Sequence, residues 1–296
     1  METTKAGRNL QWIGWVPIAV LPFAAAFCRN LLNPWELMWC LCFAIFAGLK
    51  WLTWWKAPAR VAHPTWRSAA YLLAWPGMDA DAFLDQSRRI TRPAWQDWLR
   101  AIFKTALGAA LIWIVARRVP ADEPLVRGWV GMVGLILLLH FGSFEVISLF
   151  WRSVGVHARP IMSSPLRSTS LSEFWGERWN LGFRQLSYHL IFRPLLKICG
   201  AGVASFLVFL ASGLIHDFVI SFPARGGYGL PTAYFILQGV GVTIERSNFG
   251  KRLGLRDGLR GWLFTAVFTI APAFWLFHPF FVLGVILPFM QAIHAI

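Results

Sequence analysis

Runs of mostly apolar residues, each about long enough to cross roughly 30 Å of hydrocarbon as a helix, recur along the chain between short polar stretches. Eight are read, at about 11–29, 35–55, 102–120, 127–151, 198–221, 229–246, 258–277 and 279–294. Backbone in lipid must satisfy its own polar groups, so the fold class is all-α: a polytopic transmembrane helical bundle, read as a single unit over 1–296. Phe277-His278-Pro279 divides the last two runs and predicts a tight hairpin, because proline disfavours continuing the helix. The first run follows a polar start without a small-residue cleavage site and is read as a retained span.

Two polar segments are long, 56–101 and 152–197. The first contains Trp75-Pro76-Gly77-Met78-Asp79, a proline–glycine turn with Asp79 placed to cap a short helix. The second contains Ser170-Leu171-Ser172-Glu173, a capping-box spacing, and then Leu171, Phe174, Trp175 and Trp179 at three- and four-residue steps. That pattern predicts an interfacial amphipathic helix resting on the membrane with an aromatic underside.

Charge orients the bundle. With the N-terminus in the cytoplasm, 23 of the 28 Lys and Arg residues fall on that side: Lys5 and Arg8, then Lys50 to Lys104, Arg152 to Lys197 and Arg246 to Arg260. The other side keeps Arg29, Arg117, Arg118, Arg127 and Arg225. This is the positive-inside pattern, and with eight spans it places both termini and the two long segments inside. A net charge of +14 suggests nucleic acid in a soluble chain, but 57% of the residues are hydrophobic and the bases sit between apolar runs, so no nucleic-acid partner is expected. Eighteen Trp and 25 Phe against four Tyr suit aromatic belts among membrane lipids. Cys28, Cys40, Cys42 and Cys199 lie in or beside apolar runs at spacings that make neither a disulfide framework nor a metal site.

Ionisable groups inside apolar spans are costly and usually mark a site. His140 and Glu145 lie in the fourth run, His216 and Asp217 in the fifth, and Glu245 ends the sixth. His216 follows an almost wholly apolar stretch, where desolvation keeps imidazole neutral and able to accept a proton; packing against a neighbouring helix is the alternative. Asp217, one residue on, points about 100° away on a helix. Ser212, one turn back, is the better local partner. Measured from residue 199, His216 falls about 25 Å along its helix, toward the far face.

Ser170 through Asn180, reading Ser-Leu-Ser-Glu-Phe-Trp-Gly-Glu-Arg-Trp-Asn, followed by Ser212-Gly213-Leu214-Ile215-His216-Asp217, resembles the wax synthase branch of the membrane-bound O-acyltransferase superfamily. Trp75 to Asp79 and His140-Phe141-Gly142 are similar to that branch as well, so the resemblance covers about 70–250; Asp217 stands where related sequences often carry Glu. The resemblance implies His216 as the catalytic base and Asn180 as its partner. Trp175, Arg178, Trp179, Ser212 and His140 would bind substrate. It also implies an acyl-CoA donor as co-substrate, a long-chain or other lipid alcohol as acceptor, and no further cofactor or metal. The setting would be a bacterial inner membrane or the endoplasmic reticulum. Arg159, Arg167, Arg178 and Arg184 could meet CoA phosphates or be ordinary positive-inside charge.

Two other functions compete. A transporter would use His140, Glu145 and His216 as a proton relay. A prenyltransferase would use Asp79, Asp81 and Asp85 around a metal-bound diphosphate, for which no second acidic cluster is present.

Overall fold

The computed structural model describes residues 11–58, 65–87 and 89–296, so Lys5, Arg8, Arg60 and Arg88 lie outside the described residues. Among the described residues, six helices are long and apolar enough to cross a membrane: α1 (Trp12–Asn30), α2 (Pro34–Lys56), α5 (Trp95–Arg118), α6 (Pro124–Ser153), α8 (Leu181–Ala224) and α11 (Gly258–Leu276). Between them lie α3 (Thr65–Ala74), α4 (Ala80–Leu84), α7 (171–178), α9 (Leu230–Arg246) and α10 (Asn248–Leu253), and α12 (Pro279–Ala292) closes the chain. The protein is an integral membrane bundle.

Although α9 has only 17 residues, about 25 Å of helix, it connects the two ends of the bundle. Thr232 at its start donates its N–H to Asp217 near the end of α8 (3.0 Å), and Glu245 at its finish holds the start of α7. By contrast α12, at 14 residues or about 21 Å, is too short to cross unaided. It turns back along the end where α5 finishes and α6 begins. Phe289 packs on Trp35 and Trp39 at 5.7 and 5.6 Å, and Val282 and Met290 lie over Gly128 and Gly131. The carbonyls of Ile293 and Ala295 accept from Trp113 Nε1 (3.3 Å) and Arg117 Nε (2.9 Å). The run expected to make an eighth crossing is therefore a helix shorter than a bilayer core, packed at that end. The C-terminal residues sit at the end opposite the basic segments, whereas Trp15 near the start of α1 lies under Lys56 at the basic end.

The long polar segments are tied into the bundle rather than left as surface loops. Asp79 caps α4 by accepting from Ala82 N–H at 2.9 Å, as expected. Lys50, buried in α2, donates to the Gly77 carbonyl at 2.7 Å and lies 3.1 Å from the centre of the Tyr71 ring. Trp151 in α6 donates to the Ala74 carbonyl at 2.9 Å. These bonds tie the Trp75–Asp79 turn to α2 and α6, and the turn also lies against the start of α8, where a Cβ at Gly182 would fall 3.4 Å from Met78 N.

α7 does not rest on lipid. Leu171 is fully buried, and Trp175 packs on Phe209 of α8 and Phe235 of α9 at 6.0 and 5.5 Å. Trp175 Nε1 also meets Gln238 Oε1 at 3.3 Å. The aromatic underside predicted for a membrane surface faces protein. The reason is polar: the buried Glu245 carboxylate accepts from Leu171 N–H (2.7 Å) and Ser172 N–H (2.9 Å), the free donors at the start of the helix. Ser170 Oγ caps the turn as its spacing predicts (3.0 Å), with Glu173 reaching back to Thr169 N–H (2.7 Å).

α8 has 44 residues, far more than one crossing needs. Gly200, at φ 76° and ψ 169°, interrupts it in a conformation that only glycine adopts readily. The residues after the break make the crossing, and those before it carry the chain away from Asn180.

Candidate active site

Three π-helical turns surround the centre of the bundle: Leu137–Ser143 in α6, Phe174–Arg178 in α7 and Asp217–Ser221 in α8. Such turns insert an extra residue and re-aim the side chains beside them. His140 lies within the first, Asn180 two residues after the second, and His216 immediately before the third.

Asn180 adopts a left-handed conformation (φ 41°, ψ 62°), which asparagine tolerates better than most residues. Its Oδ1 caps the first turn of α8 by accepting from Phe183 N–H at 3.2 Å. The side chain is thereby held by its oxygen, and no described residue accepts from Nδ2. His216 is fixed just as specifically. Its Nδ1 lies 2.7 Å from the Ser212 carbonyl, which can only accept, so Nδ1 carries the proton and Nε2 presents a lone pair. The ring lies 4.5 Å from Phe235. Below it, Gly213 lets α9 approach: a Cβ there would fall 2.7 Å from Thr232 Cα.

Two cavities meet at these residues. The smaller, about 570 Å³, is lined by His140, Trp175, Trp179, Asn180, Ser212 and His216, and on its polar side by Ser172, Arg184, Tyr188 and Arg246. The larger, about 850 Å³, shares His140, Trp175, Trp179, Asn180 and His216. It continues among Trp129, Met132, Ile270, Leu276, Phe281 and Ile286, an almost wholly apolar wall. The structure thus brings Asn180 and His216 to one space despite their separation along α8, because α7 reaches inward as far as Phe235.

Arg178 is not part of that space. Its guanidinium pairs with Glu173 (2.6 and 2.7 Å) and donates to the Ser163 carbonyl (3.2 Å), so it braces α7 instead of facing substrate. Burial alone would raise the Glu173 carboxyl, but the Thr169 N–H and Arg178 together hold it below its ordinary value of 4.5. Ser212 contributes its carbonyl to His216, not the hydroxyl that its residue type suggested. Of the four arginines considered for phosphate, only Arg184 lines either cavity; Arg246, which sequence reasoning passed over, lines the first.

Other singled-out groups serve the scaffold. Lys104 holds Glu145 at 2.5 Å, and Glu145 lines neither cavity, so the His140–Glu145–His216 relay does not assemble. Asp217 accepts from Ser221 Oγ (2.8 Å), Gly229 N–H (2.9 Å) and both the N–H and hydroxyl of Thr232. His278, to which the sequence drew no attention, is fully buried. Its Nδ1 accepts from Phe281 N–H (3.2 Å), leaving Nε2–H to donate to Ser221 Oγ (3.2 Å). Together these groups tie the ends of α8, α9, α11 and α12. Asp79 and Asp85 bond their own loop, at Ala82 and Ser87.

Fold and site define a class: a polytopic membrane bundle with an internal, aromatic-walled chamber that presents two histidines and one asparagine. Residues 158–237 match the model of the membrane bound O-acyl transferase family, and this stretch contains both Asn180 and His216. The chain is 30% identical over 142 residues to "Probable long-chain-alcohol O-fatty-acyltransferase 7" of Arabidopsis thaliana, covering 43% of this chain and 41% of that protein. It is 29% identical over 140 residues to the long-chain-alcohol O-fatty-acyltransferase of Simmondsia chinensis (43% and 39%). It is 27% identical over 139 residues to acyl-CoA–sterol O-acyltransferase 1 of Arabidopsis thaliana (41% and 38%). The matches span about two-fifths of the length of each relative. The resemblance to the wax synthase-like branch is borne out.

Proposed function

We propose that the protein is an O-acyltransferase that moves a fatty acyl group from acyl-CoA to the hydroxyl of a long-chain or other lipid alcohol. The observation that carries the reading is the meeting of Asn180 and His216 at the junction of two cavities, with the His216 tautomer set by Ser212. The relatives' names add the chemistry: acyl transfer to long-chain alcohols in two and to a sterol in the third.

His216 Nε2 accepts the proton of the alcohol as its oxygen attacks the thioester carbonyl. Asn180 Nδ2 donates to the carbonyl oxygen while charge builds there. The tetrahedral intermediate collapses, the C–S bond breaks, and the departing thiolate recovers the proton from His216. General-base help contributes about 10²–10⁴-fold, and one such donor about 10²–10³-fold. No acyl-enzyme and no bound metal is needed. Arg184 and Arg246, at the polar mouth of the smaller cavity, suit the phosphates of the donor. The apolar cavity suits a long chain. The basic end then faces the cytoplasm, where acyl-CoA is found, in a bacterial inner membrane or the endoplasmic reticulum.

The test is acyl transfer by purified protein in detergent, from labelled acyl-CoA to a panel of lipid alcohols, for wild type and His216→Ala. Ester formed by wild type and lost by about 10²-fold or more in the variant supports the reading. Failure of wild type on every alcohol, or full activity in His216→Ala, overturns it.

A further inference from the structure

His140 stands out among the polar residues of the chamber. It lines both cavities, its ring rests on Phe144 (centroids 5.5 Å apart), and neither ring nitrogen is hydrogen-bonded to a described residue. Nδ1 is buried and has no hydrogen-bond partner among the described residues. Nε2 is the nitrogen left to face the space.

Orphaned buried N–H groups are rarer than under-satisfied acceptors. A neutral imidazole has one N–H, and in His140 the favoured place for it is Nε2, away from the dry, partnerless Nδ1. His216 has the opposite arrangement, its proton held at Nδ1 by Ser212 and its lone pair at Nε2. The chamber therefore offers one imidazole that accepts and one that donates, which is the complement of a hydroxyl. A protonated amine supplies donors only and would carry charge into an apolar wall.

Building on the acyl-transfer reading, we infer that His140 is a further substrate-touching residue beside His216 and Asn180: it donates from Nε2 to the oxygen of the acceptor hydroxyl while His216 takes the hydroxyl proton, so the two histidines select a neutral alcohol. The acyl-CoA thioester does not use His140. A lone pair on the alcohol oxygen remains for attack, because a hydroxyl has two.

The test separates the substrates. In His140→Leu the KM for a long-chain alcohol is expected to rise about ten-fold, the equivalent of one lost hydrogen bond, with the KM for acyl-CoA within about two-fold of wild type. Gln places an amide N–H near the position of Nε2 and Asn near that of Nδ1. His140→Gln is therefore expected to recover most of the alcohol affinity and His140→Asn little. An unchanged alcohol KM in the Leu variant, an equal rise for both substrates, or rescue by Asn rather than Gln overturns the inference. Equilibrium binding of a photoreactive long-chain alcohol to His216→Ala protein, with and without His140→Leu, gives a readout that needs no turnover. If wild type transfers no acyl group, the acyl-transfer reading falls by that result. The binding arm still decides His140: about ten-fold weaker alcohol binding supports it and equal binding overturns it.

Discussion

The Oδ1 of Asn180 caps the first turn of α8 while its Nδ2 is left to the cavity, and Asp in its place keeps the first arrangement and removes the second. Asn180→Asp is expected to lower acyl transfer about 10²-fold or more with an unchanged thermal midpoint in detergent. Asn180→Ala is expected to lose the same activity and a further ~1 kcal/mol of stability with the cap. Equal midpoints for the Ala and Asp variants would refute the capping part of the account. At this scale His216 was legible as an intramembrane histidine, whereas Asn180 entered only through the resemblance. Two details were not legible. A sequence shows side chains, so Ser212 was chosen for its hydroxyl when the bond is made by its carbonyl. Arg178 and Glu173 are five apart, a spacing that a 3.6-residue helix keeps on different faces; the π-turn between them closes the gap.

Among the elements, α7 depends most on a distant partner. Glu245→Ala strips two backbone donors of their acceptor, and the cost is expected to be about 2–4 kcal/mol, read as a lower midpoint together with loss of transfer activity. A midpoint unchanged from wild type would mean that α7 is held by its aromatic contacts alone. Acid should loosen the same element. The folded Glu173 carboxyl lies below its ordinary value, so its contribution is complete above about 4.5 and is lost as pH falls toward the lowered value. Glu173→Gln should flatten the acid limb of a stability–pH profile, and an identical limb would count against the pair. The aromatic periodicity of α7 was plain in the sequence. Whether it met lipid or protein was not, because both solvents reward the same face, and only the Glu245 contact distinguishes them.

For the whole molecule, most apolar runs were readable to within a few residues, although α5 and α8 begin well before the runs at 102–120 and 198–221, and the charge asymmetry assigned their alternate loops. That signal ends at Arg260: the last 36 residues contain no Lys or Arg, so nothing in it could tell a crossing α12 from one that turns back. Length could, since 14 helical residues fall short of a bilayer core. Single cysteines introduced at Asp122 and His294, in a background with the four native cysteines replaced, are expected to react with an impermeant maleimide from the same side of sealed vesicles. A cysteine at Lys251 should react from the other. Labelling of His294 with Lys251 would restore the eighth crossing.

The turned-back α12 has one further consequence. Phe281 and Ile286 line the apolar cavity, whereas Arg184 and Arg246 line only the smaller one, so on the acyl-transfer reading a chain that extends from the Asn180–His216 junction into the apolar cavity runs along this helix. On that reading the helix would limit the length of chain the cavity takes. Phe281→Ala should shift the preferred chain in the ester product by several carbons toward greater length while leaving short-chain turnover in place, a change that mass spectrometry of the products reads directly.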